Sequence, residues 1–122
     1  MSQLILIVDD NENNRKLARD VLEFAGFETL EATGGVEGVA LAHERMPALV
    51  LMDIRMPDLS GTEALKLLKE DSRTSGIPVV ALTSSTMRGD EQRFLAEGFD
   101  GYLAKPISVR EFPDQVRSFL RE

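Results

Sequence analysis

The sequence contains no cysteine, which excludes a disulfide framework, a thiolate metal centre and a thiol nucleophile. Histidine is scarce too: His43 is the sole example, and it falls on a helix, far from the motifs described below, where a solvated surface role is expected. Basic residues are in deficit, with 14 Lys+Arg against 21 Asp+Glu and a net charge of −7. At a pI near 4.7 the field of the molecule repels phosphate backbones and offers no basic patch for nucleic acid. Long apolar runs are absent as well. The N-terminal run Leu4 to Val8 stops at Asp9 and Asp10, which suits neither a signal peptide nor a membrane span. A soluble, untargeted, cytoplasmic protein is expected, with proteins and small phosphorylated donors as partners. At 122 residues and 43% hydrophobic content, residues 1–122 are expected to form one domain with its own core.

What is present alternates. Leu4 to Val8 (LILIV) is a short continuous apolar run rich in β-branched residues, the pattern of a strand buried on both faces. From Leu17 the period changes: Leu17, Ala18, Val21, Leu22 and Ala25 share a helical face, and Gly26 is placed to end it. The alternation repeats with a strand at Glu28 to Ala32, a helix at Val36 to Arg45, then Pro47 and a strand at Ala48 to Met52. A helix over Thr62 to Glu70 turns Leu65 and Leu68 inward. Pro78 precedes a strand at Val79 to Leu82, a helix around Met87 to Glu97 ends at Gly98, and Tyr102 to Ala104 makes a short fifth strand. Ser108 and Glu111 have capping-box spacing for a last helix with Phe112, Val116, Phe119 and Leu120 at core positions. Pro113 is out of place five residues after such a cap. The helix is either bent there or begins near Phe112 with Pro113 in its first turn.

The pattern is (βα)5, an α/β fold with a parallel sheet covered on both faces by right-handed crossovers. In such sheets ligands sit beyond the carboxyl ends of the strands. Those ends carry Asp9 and Asp10 after the first strand, Asp53 after the third, Thr83 and Ser84 after the fourth, and Lys105 with Pro106 after the fifth. Three crowded carboxylates repel unless cations balance them, and a divalent metal plus the Lys105 ammonium would do so. An oxygen-only donor set suits Mg²⁺, and no histidine or cysteine is at hand to favour zinc. Singly, each residue reads more simply: Asp9 to Asn11 as a helix-capping turn, Asp53 as a loop aspartate. Together they form a matched constellation.

The segments Val8-Asp9-Asp10-Asn11, Leu51 through Gly61 (LMDIRMPDLSG), Ala81-Leu82-Thr83-Ser84 and Leu103-Ala104-Lys105-Pro106 resemble the receiver domains of response regulators over essentially the whole chain. With Asn14-Arg15 and Lys105-Pro106-Ile107-Ser108, the sequence looks most like single-domain receivers of the DivK type. The resemblance implies a flavodoxin-like, CheY-like three-layer sandwich with strand order 2-1-3-4-5. It implies Asp53 as phosphoacceptor, Asp9, Asp10, Asp53 and the backbone carbonyl of Arg55 as Mg²⁺ ligands, and Thr83 and Lys105 as groups that hold the phosphoryl oxygens. Thr83 and Tyr102 take the places of the family's switch pair, and the Lys-Pro bond is usually cis in the family. A histidine kinase or histidine phosphotransfer protein is the implied donor, and a protein target on the face of the fourth helix, fifth strand and fifth helix is the implied output. Ser84 stands where many relatives have alanine, a slight change. Arg55 and Ser85 fall where relatives flank the water route to the acyl phosphate, so they bear on its lifetime.

Three other readings compete. An aspartyl-nucleophile phosphatase of the haloacid dehalogenase class needs a second Asp two residues after the first, where this chain has Arg55. A nucleotide-binding module is suggested by Thr33-Gly34-Gly35-Val36-Glu37-Gly38, which lacks the first glycine of the dinucleotide fingerprint and any P-loop lysine; a turn and helix start is the better reading. A receiver-like module that is never phosphorylated is disfavoured by the intact acidic set. Arg15, Lys16, Arg19 and Asp20 are expected on a solvated helical face.

Overall fold

The computed structural model describes residues 3–84 and 89–120. Strands β1 (Leu4–Val8), β2 (Glu28–Ala32), β3 (Leu49–Asp53), β4 (Val79–Thr83) and β5 (Gly101–Ala104) alternate with helices α1 (Glu12–Phe24), α2 (Gly35–Arg45), α3 (Gly61–Glu70), α4 (Asp90–Glu97) and α5 (Phe112–Phe119). All paired strands are parallel, in the order β2-β1-β3-β4-β5. This is the (βα)5 flavodoxin-like sandwich. Because strand side chains alternate between faces, β1 sends Leu6 and Val8 to a core shared with α2, α3 and α4. Its Ile5 and Ile7 point to the opposite core, with Ala18 and Leu22 of α1 and Phe112 and Val116 of α5. Burial on both sides is why β1, β3 and β4 read as unbroken apolar runs. No helix among the described residues is long and apolar enough to cross a membrane.

Several boundaries differ from the sequence reading. Helix α1 starts at Glu12, capped by Asn11, whose side chain accepts from the Asn14 backbone N–H at 3.0 Å. Leu17, assigned to the inward face, is 38% exposed, because Ala18 and Leu22 define the buried stripe. Ser108 does not cap α5. Its carbonyl accepts from the Glu111 and Phe112 N–H groups at 3.2 and 2.8 Å in a turn before the helix, and α5 begins at Phe112 with Pro113 in its first turn. Proline lacks the N–H that an interior position needs, and the first turn does not need it. The expected helix start at Met87 lies outside the described residues, as does Ser85; α4 is seen from Asp90. The Lys105-Pro106 bond is cis.

Candidate functional site

The carboxyl ends of four strands meet in one open cleft of about 190 Å³, lined by Asp9, Asp10, Asn11, Asn14, Asp53, Ile54, Arg55, Thr83, Ser84 and Lys105. Strands β1 and β3 are neighbours, so Asp9, Asp10 and Asp53 come together at the sheet centre. Strand β5 brings Lys105 over β4 to meet them. Helix α3 starts directly against the end of β3: a Cβ on Gly61 would lie 2.5 Å from the Asp53 carbonyl oxygen. Only glycine allows that approach, and it packs α3 onto the phosphoacceptor candidate's own backbone.

The Lys105 Nζ lies 3.1 Å from Asp9 Oδ2 and 3.2 Å from Asp53 Oδ1. Asp9 is buried, and its Oδ1 accepts from the Asn11 N–H at 2.9 Å, so the β1–α1 turn holds this carboxylate from below. Asp53 is buried at 6% exposure, and its Oδ1 also accepts a long bond from the Arg55 N–H, 3.4 Å. Burial, then the nearby Asp9 charge, push the Asp53 carboxyl up to about 6 despite the opposing pull of Lys105. Burial alone would lower the Lys105 ammonium, but the Asp53 and Asp9 carboxylates outweigh it and hold the group above its usual value. The lysine is therefore charged, and its one ammonium faces both Asp9 and Asp53.

Asp9, Asp10 and Asp53 each offer an oxygen, all within 4.8 Å of one another. That hard, all-carboxylate set beside a partly exposed cleft fits a small divalent cation such as Mg²⁺, which keeps several waters. Asp10 is the exposed member, and the upward push on the Asp53 carboxyl, from burial first and the Asp9 charge second, is one that a bound cation would offset. The buried Thr83 lines the same cleft, as do the exposed Ser84 beside it and the exposed Arg55. Tyr102 is half-buried; its ring is 6.0 Å from that of Phe94 on α4, tilted by 44°.

The structure also corrects the expectation that Arg15, Lys16, Arg19 and Asp20 share a solvated helical face: Lys16 and Asp20 are exposed, whereas both arginines are partly buried. Arg15 is not on a solvated face: its side chain is 13% exposed, bonded to the Asp9 carbonyl at 2.9 Å and to Glu31 at 3.1 Å. Arg19 joins Glu31 at 3.1 Å. The signal in the sequence was the i, i+4 spacing of Arg15 and Arg19 together with the acid Glu31 in the following strand (ETLEA), but strand adjacency was needed to use it. Asp58 was also passed over. Its carboxylate accepts from the Gly35 and Val36 N–H groups, both at 3.1 Å, and so caps α2. The glycine pair at Gly34-Gly35 is thus a turn and helix start whose N–H groups are taken by the chain's own carboxylate, not an open phosphate cradle. His43, on α2, bonds Asp71 through Nε2 at 2.8 Å, and neither residue lines the cleft.

The model of the response regulator receiver domain family matches residues 5–117. The polar-differentiation response regulator DivK of Brucella ovis is 45% identical over 120 residues, with 98% of each chain covered; the Brucella anthropi protein of the same name is equally similar. Among solved structures, chemotaxis protein CheY4 of Vibrio cholerae superposes with a TM-score of 0.91 at 28% identity, covering 98% of this chain and 100% of that one. The receiver domain of sensor histidine kinase PA1611 from Pseudomonas aeruginosa, solved with a magnesium ion in its active-site cleft, gives 0.88 at 28% identity and 98% coverage of both. With the acid group, the strand-end lysine and threonine and the 2-1-3-4-5 sheet all in place, the chain belongs to the response regulator receiver domain family, whose single-domain members of the DivK and CheY type serve two-component signalling.

Proposed function

We propose that the protein is a single-domain response regulator of a two-component phosphorelay, receiving a phosphoryl group on Asp53 from a phosphohistidine of a kinase or phosphotransfer protein. The observation that carries this reading is the Lys105 ammonium bridging Asp9 and Asp53 at 3.1 and 3.2 Å in a cleft that Thr83 also lines. Asp53 is the nucleophile. Its carboxylate oxygen forms the bond to phosphorus as the bond from phosphorus to the donor nitrogen breaks, and the electron pair leaves with that nitrogen. Lys105 stands ready to follow the charge from the carboxylates onto the transferred oxygens, and Thr83 offers a hydroxyl donor to one of them. Asp9, Asp10, Asp53 and the Arg55 carbonyl are the residues that would hold Mg²⁺. When bound, the ion neutralises the carboxylates and the phosphoryl oxygens, which lets a dianionic group approach an acidic site.

The protein is a phosphoacceptor that aids its own phosphorylation and slow dephosphorylation, working in the cytoplasm. Its output runs through protein contacts on the face of α4, β5 and α5, driven by Thr83 and Tyr102. Support for the switch comes from the place of Tyr102 on β5, the strand that leads to Lys105, with its ring 6.0 Å from that of the buried Phe94 of α4. Incubation with Mg²⁺ and a small acyl phosphate, followed by intact mass, tests the reading. One phosphoryl increment that needs Mg²⁺ and is absent from Asp53→Asn is expected. An adduct that forms normally on that variant overturns the assignment of Asp53.

A further inference from the structure

Asp10 is the exposed member of the acid group, and among the described residues no hydrogen bond or ion pair holds its carboxylate. Its place beside Asp9 and Asp53 therefore depends on its backbone. The Asp9 N–H is fixed to the Ala32 carbonyl at 3.1 Å, and the Asp9 side chain is fixed by Asn11 and Lys105. What remains is the peptide joining Asp9 to Asp10. Its carbonyl oxygen accepts from Arg15 Nη1 at 2.9 Å.

Arg15 stands in the first turn of α1 and folds back over the β1–α1 turn. Its Nε donates to Glu31 Oε1 at 3.1 Å, while Glu31 Oε2 accepts from Arg19 Nη1 at 3.1 Å. Glu31 lies on β2, paired with Ile7 of β1, so the guanidinium is clamped between a strand and the peptide that it grips. A planar fork can donate in both directions at once; a lysine ammonium on a flexible stem does not hold that geometry.

We infer that Arg15, held by Glu31, is a positioning residue for the Asp9–Asp10 acid pair, setting the direction in which Asp10 joins Asp9 and Asp53 around a divalent cation. The inference rests on the reading of those acids as a Mg²⁺ site. It makes a prediction opposite in sign to a purely electrostatic role. A guanidinium near an acid group repels a second cation, so if only its charge mattered, removing it would tighten Mg²⁺ binding. If it orients the acids, removing it weakens binding, and keeping the charge as lysine does not rescue.

The test is calorimetric titration of the full chain with MgCl₂ alone, for the native protein and for Arg15→Met, Arg15→Lys and Glu31→Gln, with thermal unfolding of each. About 10-fold weaker Mg²⁺ binding is expected for both Arg15 variants, the usual scale for a group that orients a metal ligand, and a smaller loss for Glu31→Gln. Acyl phosphate uptake should recover at saturating Mg²⁺, so the defect falls on the metal requirement and not on the maximal rate. The Asp10 and Asn11 amide resonances should shift in the metal-free variants. Unchanged or tighter Mg²⁺ binding in Arg15→Met overturns the inference. So does weakening that merely follows lost folded protein, with a well-folded Glu31→Gln binding as the native chain does. If the native chain takes up no Mg²⁺, the metal reading falls and this inference with it; native binding alongside indifferent Arg15 variants removes only the positioning role.

Discussion

Asp53 is asked to be both buried and charged, and its energetics follow from that conflict. Its carboxyl titrates at about 6 in the folded, metal-free protein against 3.8 for an ordinary aspartate. The native state therefore holds a proton that the unfolded chain has released, and stability falls as pH rises from about 4 to about 6. Asp53→Asn removes the charge while keeping the shape. In a chelator-containing buffer it should be more stable than the native protein at pH 7.5, by roughly 1–3 kcal/mol, and the gain should shrink toward zero near pH 4. Urea unfolding at the two pH values checks this, and equal stability of the two proteins throughout counts against a strained carboxylate. Asp10 presents the reverse case. Since it is exposed, Asp10→Ala should fold with an unchanged unfolding midpoint yet lose Mg²⁺ affinity and phosphorylation together; an unaltered Mg²⁺ titration would remove it from the ligand set. Arg55, exposed on the cleft rim, is expected to obstruct attacking water, so Arg55→Asn should shorten the life of the phosphorylated state. Loss of the phosphoryl increment with time, followed by mass, decides it.

At the scale of elements, helix ends and strand ends are tied by acids that reach across gaps in the sequence. Asp58, in the loop that leads from β3 to α3, caps α2 from outside that helix. A carboxylate at a helix N-terminus meets both unpaired N–H groups and the positive end of the dipole. The Val36 and Gly35 bonds accordingly hold its pKa below the usual value. A depressed pKa means that the stabilisation is present above an ordinary aspartate's titration range and is lost as pH falls through the lower folded value. Asp58→Ala should therefore lower the thermal midpoint at neutral pH and cost little once the pH is low enough to protonate Asp58 in the native protein. A variant midpoint that stays a constant distance below the native one down to that pH would show that the cap acts through packing instead. Gly34 leaves room for this contact, since a Cβ there would meet the Asp58 carboxylate at 2.8 Å.

Across the whole molecule, the cleft and the proposed output face are joined through β4, β5 and α4. Thr83 ends β4, Ala104 pairs with it on β5, and Tyr102 two residues earlier packs toward Phe94 of α4. In the proposed switch, a phosphoryl group would draw the Thr83 hydroxyl toward it and so change the space available to the Tyr102 ring. Moving such an equilibrium from mostly inactive to mostly active takes roughly 10⁴-fold preference for one state, about 5.5 kcal/mol, which several charge-assisted bonds from Lys105, Thr83 and backbone N–H groups are of a size to supply. Phosphorylation is expected to shift the NMR resonances of Asp90–Glu97, Gly101–Ala104 and Phe112–Phe119 as well as those of the cleft. Shifts confined to the neighbourhood of Asp53 would mean that this coupling is not used here.

Three strand ends were legible in the sequence because a strand buried on both faces leaves an unbroken apolar run, and the first polar residue after it marks the sheet edge: Asp9 after Val8, Asp53 after Met52, Thr83 after Leu82. Lys105 follows β5, a short edge strand with an exposed Ala104, and was placed by the Lys-Pro motif instead. Periodicity alone placed Leu65, Leu68, Phe112 and Val116 in the core, where they lie. It misjudged Leu17, since a stripe only a few residues wide has an edge whose exposure depends on what packs beside it. Where α5 starts was open until the turn at Ser108 took the N–H groups of Glu111 and Phe112. Arg15 and Asp58 show the limit most clearly. Local spacing makes each a solvated charge, and only the adjacency of β1 and β2, or of α2 and the β3–α3 loop, supplies the partners that turn them into clamps. Local chemistry and pattern are written along the chain, but which charges meet depends on distances that exist only once the sheet has ordered its strands.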